Sequence, residues 1–152
     1  MQDLARYQEH HVALKEMIGD LQSLLNPEMC RIPANGELAH HLLSDLMDRV
    51  KEHLRDEDRD LYPFLLVHED PRVKGIAWEF IRTERPLRRT FEKYQKKWLQ
   101  RCNFPLNEAF LRETDEIFKV LSDRMEREEQ VLFPKLLEVG FFQAPDCPSL
   151  RL

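Results

Sequence analysis

The stretch Val50-Lys51-Glu52-His53-Leu54-Arg55-Asp56-Glu57-Asp58-Arg59-Asp60-Leu61-Tyr62-Pro63 reads again 71 residues later as Leu121-Ser122-Asp123-Arg124-Met125-Glu126-Arg127-Glu128-Glu129-Gln130-Val131-Leu132-Phe133-Pro134. In each copy an apolar residue is followed by an ionisable one, then a glutamate one turn on, then Leu-aromatic-Pro. Spacings of three and four residues place such positions on one helix face. A shorter echo aligns His11-Val12-Ala13-Leu14 with Glu84-Arg85-Pro86-Leu87. The chain therefore predicts two helical hairpins, one per half, stacked on one another. The alignment pairs His11 with Glu84, His53 with Arg124 and Glu57 with Glu128.

Outward from these copies, four seams with heptad-like spacing are filled along their whole length. The first is Leu4, Tyr7, His11, Leu14, Ile18, Leu21, Leu25; the second is Ala39, Leu42, Leu46, Val50, His53, Glu57. The third is Ala77, Phe80, Glu84, Leu87, Phe91, Tyr94, Trp98; the fourth is Phe110, Thr114, Ile117, Leu121, Arg124, Glu128. A face this apolar must be buried. An ionisable group on it is costly unless paired or bound to metal. Two histidines, three glutamates and one arginine are thus predicted inside a helical bundle, which marks a candidate functional site.

The seams set the organisation. Helix A is expected from about Gln2 to Leu25, ended by Asn26-Pro27, with a loop over Asn26 to Asn35. Helix B is expected from near Gly36 to about Leu61, with Pro63 kinking or ending it. Helix C is expected over Val73 to Leu99 and must tolerate Pro86; helix D, capped by Asn107, runs to Leu132 or beyond Pro134. Residues 1–140 read as one domain, and 141–152 as a tail in which Phe141 and Phe142 either cover a bundle end or make a dimer contact.

Composition narrows the function classes. The chain has 152 residues, enough for one domain with a real core, and only four glycines, which favours an all-α fold. Its net charge of −5, with both signs interleaved, argues against a nucleic-acid groove. No apolar run reaches the ~20 residues of a membrane span, and the N-terminus lacks a secretory apolar stretch. Three cysteines, Cys30, Cys102 and Cys147, lie off the seams without zinc spacing and read as reduced thiols of a cytoplasmic protein.

His53 and Glu57 lie one helical turn apart and point the same way, so one helix presents both to a metal ion. His11 adds a second imidazole and Glu128 a second carboxylate. Such a set suits iron, manganese or zinc better than magnesium or calcium. The competing reading is a metal-free polar core in which the histidines bond Glu57 or Glu128 and Arg124 neutralises the rest. His10 is a register-shifted competitor for His11; His40, His41 and His68 lie off the seams or in a turn. Tyr7, one turn before His11, and Tyr94 read as packing residues within reach of a ligand.

With His11-x-x-Leu14, His53-x-x-x-Glu57 leading to Leu61-Tyr62-Pro63, and Glu128 leading to Leu132-Phe133-Pro134, the chain resembles the haemerythrin-like (HHE cation-binding) family over about residues 4–138. The resemblance implies an up-down-up-down four-helix bundle around a bridged di-iron site. It also implies a small partner such as oxygen or nitric oxide, or a role in sensing iron. The second half departs from the pattern. Where the family supplies histidines from helices C and D, this chain has Glu84 and Arg124. Glu84 remains able to ligate; the guanidinium of Arg124 stays protonated and has no lone pair to offer. The expected site is therefore atypical: one well-formed metal position from His11, His53, Glu57 and Glu128, and a second that is lost or carboxylate-rich through Glu84. Arg124 and Tyr7 are expected beside the ligands, Arg124 compensating charge. Besides gas or iron binding, an iron enzyme reacting with oxygen or peroxide and a metal-free interaction module remain open.

Overall fold

The computed structural model describes residues 3–100 and 107–142. Four long helices form the bundle, and the described residues contain no strand. The helix α1 spans Leu4–Leu24, and α2 spans Pro33–Asp56 before a π-helical turn at Glu57–Leu61 and a short α3 at Tyr62–Leu66. The helix α4 spans Pro71–Tyr94, with a π-helical turn at Gln95–Leu99. The helix α5 spans Glu108–Arg127, followed by a third π-helical turn at Glu128–Leu132 and by α6 at Phe133–Glu138. The 71-residue repeat of the sequence is thus kept in the backbone: both copies change from α to π geometry at the seam glutamate. The ring of contacts closes, α1 on α2, α2 with its continuation on α4, α4 on α5, and α5 back on α1.

Local chemistry explains the ends. The carboxylate of Asp3 caps α1 at Ala5 N, that of Asp70 caps α4 at Arg72 N, and the side chain of Asn107 caps α5 at Phe110 N, as expected for α5. The helix α2 begins at Pro33, three residues before the expected Gly36, because proline has a helical φ and no N–H to satisfy in the first turn. Pro63 does not end the second helix. The preceding π turn shifts the bonding so that Tyr62 N–H reaches Glu57 O, and the chain continues to Leu66. The same shift before Pro134 carries the fourth helix to Glu138. Pro86 sits inside an unbroken α4; it and Arg82, whose carbonyl loses its helical donor, are exposed, where solvent can replace the bond. Gly140, at φ +77°, closes α6: Phe141 N–H returns to Leu136 O and Gly140 N–H to Leu137 O. That turn lays Phe142, buried, against Tyr7 and Phe133, so these aromatics cover the bundle end. Residues 101–106 and those from 143 on, with Cys102 and Cys147, lie outside the described residues.

The core has two apolar lobes. One gathers Leu14, Leu21, Leu46, Phe91, Phe110 and Leu121 among others; the other gathers Tyr7, Leu61, Tyr62, Phe80, Leu132 and Leu136. Each helix passes from one lobe to the other through a polar layer: His11 on α1, His53 and Glu57 on α2, Glu84 on α4, Arg124 and Glu128 on α5. The seams are buried as read, except that Leu4 and Leu25 at the ends of α1 are half-buried and that α2 buries Leu43 completely and leaves Leu42 half-buried. No described helix is long and apolar enough to cross a membrane.

Because the first lobe closes around fully buried side chains, Leu46→Ala is expected to cost ~2–5 kcal/mol. Urea unfolding of the metal-free protein measures this. A loss below ~1 kcal/mol would contradict the close packing assigned to that lobe.

Candidate metal centre

The polar layer is built by four segments. In α1 the seam spacing buries His11 one turn after Tyr7; in α2 it buries His53 in the last turn. Glu57 and Glu128 each occupy the first position of a π turn. Such a turn widens the helix where its side chains enter the core, and π turns gather at functional sites. The four residues are 1% (His11), 5% (His53) and 0% (Glu57 and Glu128) exposed, so their mutual contacts are not shared with solvent.

Their inner atoms face one another. His11 Nε2 lies 2.7 Å from Glu128 Oε2 and 3.3 Å from His53 Nε2. His53 Nε2 lies 3.2 Å from Glu128 Oε2 and 2.7 Å from Glu57 Oε1. His11, His53 and Glu128 form a group whose ligand atoms all lie within 4.8 Å of one another; Glu57 approaches it through His53. Donor atoms bound tetrahedrally to one ion at ~2.0–2.2 Å lie roughly 3.3–3.6 Å apart, so a small relaxation would admit a cation. One atom tests the fit. Glu57 Oε1 is buried and accepts no hydrogen bond, because its close contact with His53 lacks the geometry of one. It meets the His53 imidazole only as a close charge contact, and an oxygen so placed could also serve as a ligand to a cation.

The outer atoms face fixed donors. Tyr62 donates its hydroxyl to Glu57 Oε2 at 2.6 Å and accepts from Arg124 Nη2 at 2.6 Å. Arg124 Nε donates to Glu128 Oε1 at 3.3 Å, and Nη2 lies 3.6 Å from Glu57 Oε2. Arg124 Nη1 donates to Thr83 Oγ1 and to the Phe80 carbonyl, and the guanidinium lies over the Phe80 ring. Each carboxylate therefore turns one oxygen to the imidazoles and the other toward the guanidinium. The charge of Arg124 stands on the far side of both, at the repeat position of His53.

The outer nitrogens of the imidazoles are also engaged. His11 Nδ1 donates to Glu129 Oε1 at 3.0 Å, and Lys15 holds the same oxygen at 2.8 Å. His53 Nδ1 lies 3.5 Å from His10 Nδ1. Tyr7 packs edge-on to His53 and His10; its buried hydroxyl has no hydrogen-bond partner. Tyr94 bonds Thr114 instead of the layer. Glu84, though buried, joins Arg88 by two hydrogen bonds, and Arg88 also binds Asp58. Its carboxylate therefore stands apart from the His11, His53 and Glu128 group.

Electrostatics follow from burial. Burial alone would lower His53, but its bonds and charge contacts with Glu128 and Glu57 outweigh this and raise it to about 10 in the metal-free chain. Burial, then the charge of Glu128, pushes Glu57 up to about 8. Glu128 goes the other way. Against the effect of burial, its contacts with Glu57, His11 and His53 hold it well below the usual carboxylate range. Glu84 rises to about 7 through burial and its neighbour Asp58, against the pull of Arg88. Arg124 is stabilised as a cation by Tyr62, Glu57, Glu128 and Glu84 despite its burial.

Sequence reasoning missed Glu129, Tyr62 and Thr83. Glu129 falls one residue past the seam and reads as a solvated acid. Tyr62 carried a signal: it replaces Phe133 of the other copy in the same repeat unit that replaces Arg124 by His53. A family model described as Hemerythrin HHE cation binding domain matches residues 3–136, nearly the whole described chain. No curated protein and no solved structure matches the chain.

Removing Arg124 leaves two buried carboxylates facing one fewer cation. Arg124→Ala is expected to destabilise the metal-free protein by ~3–5 kcal/mol, the range for breaking a buried pair. Denaturant unfolding in the presence of a chelator checks this. A change below ~1 kcal/mol would show that Arg124 is not the counter-charge of the layer.

Proposed function

Because the chain belongs to the hemerythrin HHE cation-binding domain family, we propose that it binds a single transition-metal ion through His11, His53, Glu57 and Glu128. Iron is the first choice, with manganese or zinc as substitutes. Its role is to bind or sense a small diatomic molecule such as oxygen or nitric oxide, or to sense iron itself. The observation that carries this reading is the convergence of His11 Nε2, His53 Nε2 and Glu128 Oε2 on one buried point, with Glu57 Oε1 2.7 Å from His53 Nε2.

The surrounding residues prepare the donor set. Glu129 accepts a hydrogen bond from His11 Nδ1, which leaves Nε2, toward the centre, as the nitrogen able to ligate. Tyr62 and Arg124 hold the outer oxygens of Glu57 and Glu128, which fixes where the inner oxygens point. Arg124 supplies a permanent positive charge in place of a second ion and cannot itself ligate. Tyr7 and Phe133 pack against the rings of His53 and His11 and exclude bulk water from that side. When bound, iron supplies an open coordination position and a redox couple suited to a diatomic ligand. Metal uptake requires His53 to release the proton it holds in the metal-free layer. A carboxylate-rich oxidase or peroxidase site would draw on Glu84, and the pairing of Glu84 with Arg88 weighs against it.

Protein reconstituted anaerobically with ferrous iron and desalted is expected to keep about one ion per chain, since three or four converging ligands define a retained site. His53→Ala is expected to abolish retention, and Glu84→Gln to leave it unchanged. Absence of retained iron in the folded parent, or equal loss in both variants, would contradict the ligand assignment. Nitric oxide is expected to change the visible spectrum of the iron form in proportion to bound iron; peroxide consumption tied to iron would favour the enzyme.

A further inference from the structure

We infer that the cleft between α1 and α2 is the route by which a divalent metal cation reaches the centre, and that His10 is the ligand that hands it to His53. The inference rests on the metal-binding reading above. The cleft has a volume of about 270 Å³ and is lined by Glu9, His10, Arg49, Glu52 and His53. Of the four proposed ligands His53 is the most exposed, at 5%, against 1% for His11 and 0% for both glutamates. A cation approaching from solvent along this cleft therefore meets His53 first.

The side chain of His53 belongs to both places. Its Nε2 faces Glu57, Glu128 and His11, while its Nδ1 faces His10 Nδ1 across 3.5 Å. Two imidazole nitrogens bound to one ion at ~2.0–2.1 Å lie at most ~4.2 Å apart, so that gap is one a cation can share. Across this gap the Nδ1–H of His53 donates and His10 Nδ1 accepts, so the lone pair of His10 points into the gap. Consecutive residues of α1 thus serve two purposes. His11 faces the core, and His10, half-buried, faces the cleft.

Charge favours the same route. Glu9 and Glu52 are exposed at the cleft and make no ion pair among the described residues. Arg49, the cation beside them, is paired with Asp45 at 3.5 Å. The cleft therefore attracts cations, and a charged mouth of this kind raises local ion concentration and on-rate. The opposite side of the layer does the reverse. Arg124, buried over the Phe80 ring, stands there, and its fixed charge opposes a cation approaching from that direction.

The test is the rate at which the metal-free full chain takes up Co²⁺, followed in stopped flow by the visible absorption of the bound ion. His10→Ala is expected to slow uptake and release alike, by about tenfold, and to leave the affinity and the number of ions bound unchanged. Glu9→Gln combined with Glu52→Gln changes only exposed side chains, so the fold is kept. That variant is expected to slow uptake and to flatten its dependence on ionic strength. Uptake by His10→Ala at the parent rate overturns the inference. So does a fall in affinity with the uptake rate unchanged, because His10 would then only orient His53. A parent that takes up no Co²⁺ overturns both the inference and the metal-binding reading beneath it, whereas a parent that loads normally leaves only the route in question.

Discussion

Glu57 and Glu128 lie side by side in the middle of the bundle with no access to solvent. Two carboxylates in that position repel one another and are poorly solvated, so the surroundings must supply positive charge or protons. The structure does so from two sides. The imidazoles of His11 and His53 stand at one pair of oxygens, and the guanidinium of Arg124, with the Tyr62 hydroxyl, at the other pair. The positions of the residues around the pair, Glu84 apart, follow from that need. Thr83 and the Phe80 carbonyl accept from Arg124 Nη1, Glu129 accepts from the outer N–H of His11, and both glutamates open a π turn.

On the metal-binding reading, the layer is a two-sided cation site in which one cation is covalently part of the chain. The repeat makes this visible, since His53 and Arg124 occupy equivalent positions one turn before equivalent glutamates. On the histidine side, the chain offers lone pairs once a proton is given up; on the arginine side it offers only N–H groups. A fixed guanidinium needs no loading and stays charged at every physiological pH, so the bundle stays closed on that side whether or not metal is present. On that reading an asymmetric member of the family can keep both seam glutamates. Their second partner is built in.

Much of this was legible in the sequence because helix periodicity is a strong signal. His11, His53, Glu57, Arg124 and Glu128 each sit where a seam demands an apolar residue, and burial followed. The fold class followed from the same seams and the family-model match bears out the resemblance. What was not legible depends on geometry that spacing does not carry. A π turn is a local insertion in the bonding pattern, so both prolines read as possible helix ends rather than as residues accommodated one turn later. Glu84 occupies the right seam but turns to Arg88, four residues along its own helix, a competition that periodicity alone does not resolve. Glu129 and His10 lie one residue off their seams and reach the ligands only because α1, α2 and α5 approach closely.

The central claim is that Arg124 stands in place of a second ion. Its most direct test is the iron content of the parent beside that of the variant carrying both Arg124→His and Glu84→His, each shown to be folded by far-ultraviolet circular dichroism. The substitutions remove the fixed charge and restore to the second half the donor types of the first. The account predicts that the variant binds about one more iron per chain than the parent, as a second set of converging ligands requires, and gains the near-ultraviolet and visible absorption of a bridged di-iron centre. Equal iron content in the two folded proteins would contradict it.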